Sequence, residues 1–266
     1  MKMIWKGAIS FGLVSIPVRM YPATEAKTVT FHQLHDKDGA RIYYSRVCSQ
    51  DGEEVPYDHI VRGYEYEKDR FVSLTDDDLR AVPTRSARTI DLFEFVDADS
   101  VDPFFFDRPY YLEPEELGLK PYQLLRRAME QQGKIAIGKL ALHAKEHLVS
   151  LRPAGMMIVL ETMHWPDEIR EAAFPILHEE PTIRPQELEM AERLVDSLSA
   201  EWRPEEFRDE YREALLMLLR DKVAGKKLEA PVEEKLGEVV DFVAALQASV
   251  EAAEKRAKEA RAGGAG

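Results

Sequence analysis

Two groups of side chains in this sequence could do chemistry. The first is histidine and cysteine: His32, His35 and Cys48 offer the imidazole and thiolate ligands that zinc takes. His143-Ala144-Lys145-Glu146-His147 adds two histidines around an acid. Neither set meets the requirements of a metal site. His32 and His35 fall on opposite faces if their segment is a strand, the chain has a single cysteine, and no fourth ligand stands at standard spacing. In a zinc-protease helix the glutamate follows the first histidine directly; Glu146 does not, and its segment reads as strand and turn. No Gly-rich phosphate loop and no legible Ser/His/Asp set is present. No catalytic residue, metal or cofactor is expected, and the chain is not expected to be an enzyme.

The second group is cationic. From Lys134 to Arg152, the residues Lys134, Lys139, Lys145 and Arg152 face a single acid, Glu146. Such a cluster can hold phosphate by charge alone. The whole-chain balance opposes it: 36 Lys and Arg against 49 Asp and Glu give a formal net charge of -13. The acids are concentrated from Asp91 to Glu116 and from Glu187 to Glu213. A polyanion can bind only if the fold keeps these signs apart.

Short strands followed by helices must do that positioning. Ala8 to Tyr21 reads as strand, a kink near Pro17, then strand. Thr30–His35 and Arg41–Val47 flank a turn at 36–39 and predict a hairpin; 65–67 and 70–74 predict another around Lys68-Asp69. A short helix fits 57–63. Thr75 offers an N-cap, and Arg88 to Val96 alternates as a strand. Pro109 to Pro114 is extended. Helical spacing runs from Pro121 to Gln132 with Gly133 as C-cap, and 134–142, 146–152 and 156–163 predict an antiparallel meander. Helices are predicted from Pro185 to Leu198, from Pro204 to Ala224 and from about Val232 to Ala262. The result is an α+β chain built on a barrel or curled sheet. No apolar run is long enough for a membrane span. The start lacks a secretory signal and the lone cysteine fits a reducing compartment, so a cytoplasmic location is expected.

Several stretches resemble the bacterial Ku family of non-homologous end-joining proteins. They are Ile4-Trp5-Lys6-Gly7-Ala8-Ile9-Ser10-Phe11-Gly12-Leu13-Val14 with Ile16-Pro17-Val18, then Phe31-His32-Gln33-Leu34-His35, Asp51-Gly52-Glu53-Glu54-Val55 and Gly63-Tyr64-Glu65-Tyr66. Pro109-Tyr110-Tyr111-Leu112-Glu113-Pro114, Glu146-His147-Leu148-Val149-Ser150-Leu151-Arg152-Pro153 and the Asp209/Tyr211-Arg212/Leu215 spacing follow in order. The match covers roughly residues 1–225.

The resemblance implies a β-barrel core over 1–183 with a strand-rich bridge inserted at about 30–80. A helical arm would follow over 184–227, then a C-terminal helix and flexible tail over 228–266. It implies a homodimeric ring that threads onto double-stranded DNA ends without sequence specificity and recruits an ATP-dependent multifunctional DNA ligase. Phosphate contacts are then expected from Lys37, Arg41, Arg46 and Arg62 of the bridge and from Lys134, Lys139, Lys145 and Arg152 of the meander. Lys134 and Lys139 are five apart and face opposite ways unless Gly138 supplies a bulge. Arg152 could instead form a structural ion pair. Phe104, Phe105, Tyr211, Leu215 and Leu219 are candidates for the dimer interface. Trp5, Phe11, Leu13, Tyr110 and Tyr111 are expected in packing rather than base stacking. The tail interleaves Lys255, Arg256, Lys258 and Arg261 with acids, unlike the long basic extensions of some relatives, and 228–262 is a candidate ligase-docking segment. An RNA-binding barrel without a ring, a hydrolase using the histidines, and a purely structural module remain alternatives.

Overall fold

Alternation of apolar residues along the first strands decides which side of the sheet is buried. In this computed structural model, which describes residues 1–82, 88–142 and 145–226, Trp5 and Ile9 of β1 (Trp5–Phe11) point inward with Ile16, Val18 and Met20 of β2 (Val14–Pro22). The chain then leaves the barrel. It forms a hairpin, β3 (Arg62–Glu67) and β4 (Arg70–Leu74), and a short helix, α1 (Asp76–Ala81). It returns as β5 (Thr89–Asp97), followed by β6 (Phe106–Pro114), α2 (Leu119–Gln132), β7 (Lys134–Leu142), β8 (Lys145–Ala154) and β9 (Met157–Met163).

Seven strands close in the order β1-β2-β6-β9-β8-β7-β5. All seams are antiparallel except β1 with β5, which pair in parallel at Ala8–Ser10 and Thr89–Asp91. Ile90, Leu112, Leu140, Leu151, Ile158 and Leu160 complete the interior, and Tyr122, Leu125 and Met129 of α2 join it. The Tyr122 hydroxyl donates to the Leu112 carbonyl at 2.6 Å and accepts from the Ile158 N–H at 2.6 Å, fixing α2 to β6 and β9. A second apolar cluster lies outside the barrel interior, where Ile135, Ile137 and Met163 meet Val96, Phe105, Phe106 and Leu148.

The meander, the hairpin around Asp69, the Thr75 cap and the Gly133 C-cap (φ 62°) stand where the sequence put them. Other expectations need correction. The break in the opening strand pair is a turn at Gly12 (φ 57°), not a kink at Pro17, which lies inside β2 opposite Ala8. The hairpin expected over 30–47 is reduced to an isolated bridge between Leu34 and Arg41, with another between Val47 and Glu54. No apolar face there finds a core to set a longer register. The helix expected from Pro204 is a single turn, and α4 (Glu210–Val223) begins where the Asp209 carboxylate accepts from Arg212 N–H. The expected short helix at 57–63 is one 3-10 turn, Tyr57–His59.

The chain divides into two compact units, Met1–Glu171 and Ala172–Gly266. The described part of the second unit holds α3 (Pro185–Leu198) and α4, and none of its described residues is buried. The helix expected from about Val232, the tail and His143 lie outside the described residues.

Candidate nucleic-acid interface

Between Met20 and Ile90 no described residue is buried. This excursion leaves the barrel where β2 ends and re-enters beside β1. Its turns are held locally by aspartates. Asp38 accepts from Ala40 N–H at 3.0 Å, with Gly39 at φ 70°, and Asp51 accepts from Glu53 N–H at 2.9 Å, with Gly52 at φ 74°. These N–H bonds hold both carboxyls below the usual aspartate range, with help from the His35 side chain for Asp38 and the Cys48 side chain for Asp51. The glycines supply a left-handed backbone that other residues adopt at a cost. At the base of the hairpin Thr75 and Asp78 form a capping box.

Cations project from these fixed turns. Lys37 sits on the 36–38 turn and Arg41 at the bridge opposite Leu34; both are exposed. Among the described residues neither has a carboxylate partner. The Arg46 guanidinium lies 5.4 Å from the centroid of Tyr57; Arg70 lies 5.2 Å from that of Tyr66 and pairs with Glu67 at 2.7 Å. Arg62 meets Asp76 at 3.3 Å, with both side chains more than two-thirds exposed. Such an open pair contributes little and yields to a phosphate. Lys68, at the tip of the β3–β4 hairpin, is a further cation of this surface that sequence reading treated only as a turn residue. Its signal was the hairpin itself.

The meander differs. Lys134 pairs with Asp97 at 2.7 Å, Lys139 with Glu146 at 2.8 Å, and Arg152 with Glu161 through two hydrogen bonds of 3.0 and 3.1 Å. Lys139 also lies 5.1 Å from the Trp165 ring centroid. Only Lys145 is exposed and lacks an acidic partner among the described residues. Lys134 and Lys139 do face opposite ways, because β7 is regular. The bulge is on its neighbour, where Phe93 is the extra residue between Leu92 and Glu94 of β5. Gly138 serves close approach instead, since a Cβ there would lie 2.7 Å from the Asp91 carbonyl oxygen. On the barrel Lys134, Lys139 and Arg152 are thus neutralised and Lys145 is open, whereas on the excursion Lys37 and Arg41 are open and Arg62 and Arg70 hold exposed carboxylate partners.

The remaining candidates divide similarly. Trp5 is buried in the barrel and Phe11 and Tyr110 pack against its core, whereas Leu13 stands fully exposed at the first turn. Phe104 is 76% and Tyr211 77% exposed; Phe105 packs on the outer cluster, and Leu215 and Leu219 are half-buried. His35 is bound to Asp38 at 3.0 Å, and among the described residues no His, Cys, Asp and Glu converge as metal ligands.

The architecture is a seven-stranded closed barrel with a long excursion that has no buried described residue and mixes cations with acids. A family model described as the Ku70/Ku80 beta-barrel domain matches residues 10–190. The chain is 48% identical over 257 residues to the non-homologous end joining protein Ku of Frankia casuarinae, covering 95% of this chain and 64% of that protein. It is 42% identical over 253 residues to the Archaeoglobus fulgidus protein of that name, covering 95% and 99%. With the Bacillus subtilis protein the figures are 40% over 258 residues, 94% and 82%. This chain belongs to the Ku family. It spans less than two thirds of the Frankia relative's length.

Proposed function

We propose that two copies of this chain form a ring that holds the ends of double-stranded DNA without sequence specificity and recruits an ATP-dependent multifunctional ligase for end joining. The observation that carries this reading is the excursion between Met20 and Ile90, which has no core of its own. Phe31, Tyr43, Tyr44, Val61, Tyr64 and Phe71 are each more than 60% exposed there. That much uncovered apolar surface points to a covering neighbour, and the cations without an acidic partner among the described residues, Lys37 and Arg41 among them, support a polyanion as one neighbour. A second copy is the other. In this reading Phe104, Phe105, Tyr211, Leu215 and Leu219 add to the contact between copies, and the acids concentrated at 91–116 and 187–213 repel DNA from wrong approaches.

Lys37, Arg41, Arg46 and Arg62 then contact phosphates, which carry no sequence information. Lys145 adds a contact from the meander, and Lys134, Lys139 and Arg152 serve mainly the barrel. The chain works as a scaffold at the nucleoid, without cofactor or catalytic residue of its own. No helix among the described residues is long and apolar enough to cross a membrane.

The test is to size the protein in solution, then titrate linear and covalently closed duplex at about 50 and about 200 mM salt. With roughly 6–10 phosphates neutralised, affinity for linear duplex falls about 10³–10⁵-fold across that interval. A ring needs a free end, so circles compete poorly. A monomer, or circles that compete as well as linear duplex, ends the reading.

A further inference from the structure

Beside the barrel mouth the surface carries an apolar trough of about 580 Å³. Its walls are Leu124, Leu125 and Ala128 of α2 on one side and Phe11, Val14 and Phe95 on the other, with Phe11 and Phe95 in edge contact at 6.4 Å. The lining runs from Pro121 to Gln132, about 16 Å along the helix at 1.5 Å per residue. Leu124 is 70% exposed and Leu13, on the adjoining turn, is fully exposed. A trough this long and open suits the apolar stripe of a helix laid lengthwise. A small molecule would need walls that close around it.

Charge selects the occupant. The lining contains no carboxylate; its one charged group, Lys134, is tied to Asp97 at 2.7 Å. Lys120, Leu124, Arg127 and Gln131 follow at i, i+4, i+7 and i+11, so one ridge of α2 carries two cations along the solvent edge of the trough. Lys120 and Arg127 are exposed and, among the described residues, have no acidic partner. A second copy offering its own α2 would bring the same cations and be repelled. We infer that this trough docks an amphipathic helix of a partner protein, with leucine-like residues on one face and Asp or Glu beside them. The surface is separate from the excursion and does not depend on the DNA reading.

The test uses the full chain and a fluorescein-labelled synthetic helix of about 16 residues, leucine at i, i+3, i+4 and i+7, flanked by glutamates. Its twin carries lysines in their place. The glutamate helix binds saturably by anisotropy, at least about tenfold tighter than the lysine helix. Leu124→Glu abolishes binding, and Ala128→Glu gives a second block should that variant not fold. Lys120→Glu with Arg127→Glu reverses the preference toward the lysine helix. A photo-crosslinker on Ala128→Cys, in a Cys48→Ser background, labels the peptide. Equal binding of both helices, or indifference to both trough substitutions, overturns the inference. So do crosslinks to a second copy or to the chain itself in place of the peptide.

Discussion

Arg152 on β8 and Glu161 on β9 close a forked pair of hydrogen bonds, from Nε at 3.0 Å and from Nη2 at 3.1 Å. The Glu161 side chain is 14% exposed, so its carboxylate depends on that guanidinium. An arginine held this way is occupied. Arg152→Ala is expected to cost about 1–2 kcal/mol in urea unfolding, discounted for the exposed arginine. It should change duplex affinity by less than any single substitution at Lys37 or Arg41. A larger loss of affinity than of stability would return Arg152 to the phosphate-binding set.

Combined alanine replacement at Lys37, Arg41, Arg46 and Arg62 has the opposite signature. Affinity falls by a similar factor for unrelated duplex sequences, because the contacts are to phosphate. The slope of log K against log salt becomes shallower by about 0.9 for each contact removed. Titrations of two sequences at several salt concentrations check both. An unchanged slope would mean that these cations only face solvent.

Tyr122 gives a stability prediction. Its hydroxyl serves the Leu112 carbonyl and the Ile158 N–H together, so Tyr122→Phe takes a hydrogen-bond partner from two buried backbone groups. The expected loss is about 1–3 kcal/mol, read from urea midpoints. Burial raises the phenol above the ordinary tyrosine range. A folded pKa raised above the unfolded one gives stability that is complete at lower pH and lost as pH rises through the folded value. The phenylalanine variant should lose that alkaline dependence.

Glu115 gives the acid-side counterpart. Lys6 Nζ lies 2.6 Å and Arg19 Nη2 3.2 Å from its Oε1. The Lys6 hydrogen bond, then charge attraction from Lys6 and Arg19, hold the carboxyl below the ordinary glutamate range despite partial desolvation. Its contribution is therefore present above the unfolded glutamate pKa and fades as pH falls through the folded value. Urea midpoints measured from neutral to acid pH should fall less steeply for Glu115→Gln than for the native chain.

The barrel was largely legible because its strands carry their own burial pattern. Ile16, Val18 and Met20 alternate as one face, and the meander from Lys134 to Met163 announced three strands with short turns. α2 was marked by its stripe and by Gly133. The excursion was not legible in the same way. Thr30–His35 has strand-like alternation, but its apolar residues find no interior within one chain, so periodicity overstated its order. The site divides for a related reason. The density of lysine and arginine between 134 and 152 is visible in one dimension, whereas their partners Asp97 and Glu161 arrive from other strands. Spacing alone cannot see those pairings, nor that Phe93 rather than Gly138 makes the bulge.

The seams that fix the first hairpin have a bearing on how the molecule is made. β1 and β2 leave the ribosome before the strands that flank them, so one edge waits for Thr89–Asp91 and the other for Tyr110–Pro114. At typical elongation rates of about 5–20 residues per second, the hairpin spends several seconds with both flanks unclaimed. Neighbouring nascent chains on one message present the same unclaimed flanks, and edge-to-edge pairing between them competes with correct closure. Production of this protein should therefore respond to sparse initiation and low temperature more than to codon usage at its C-terminal helices.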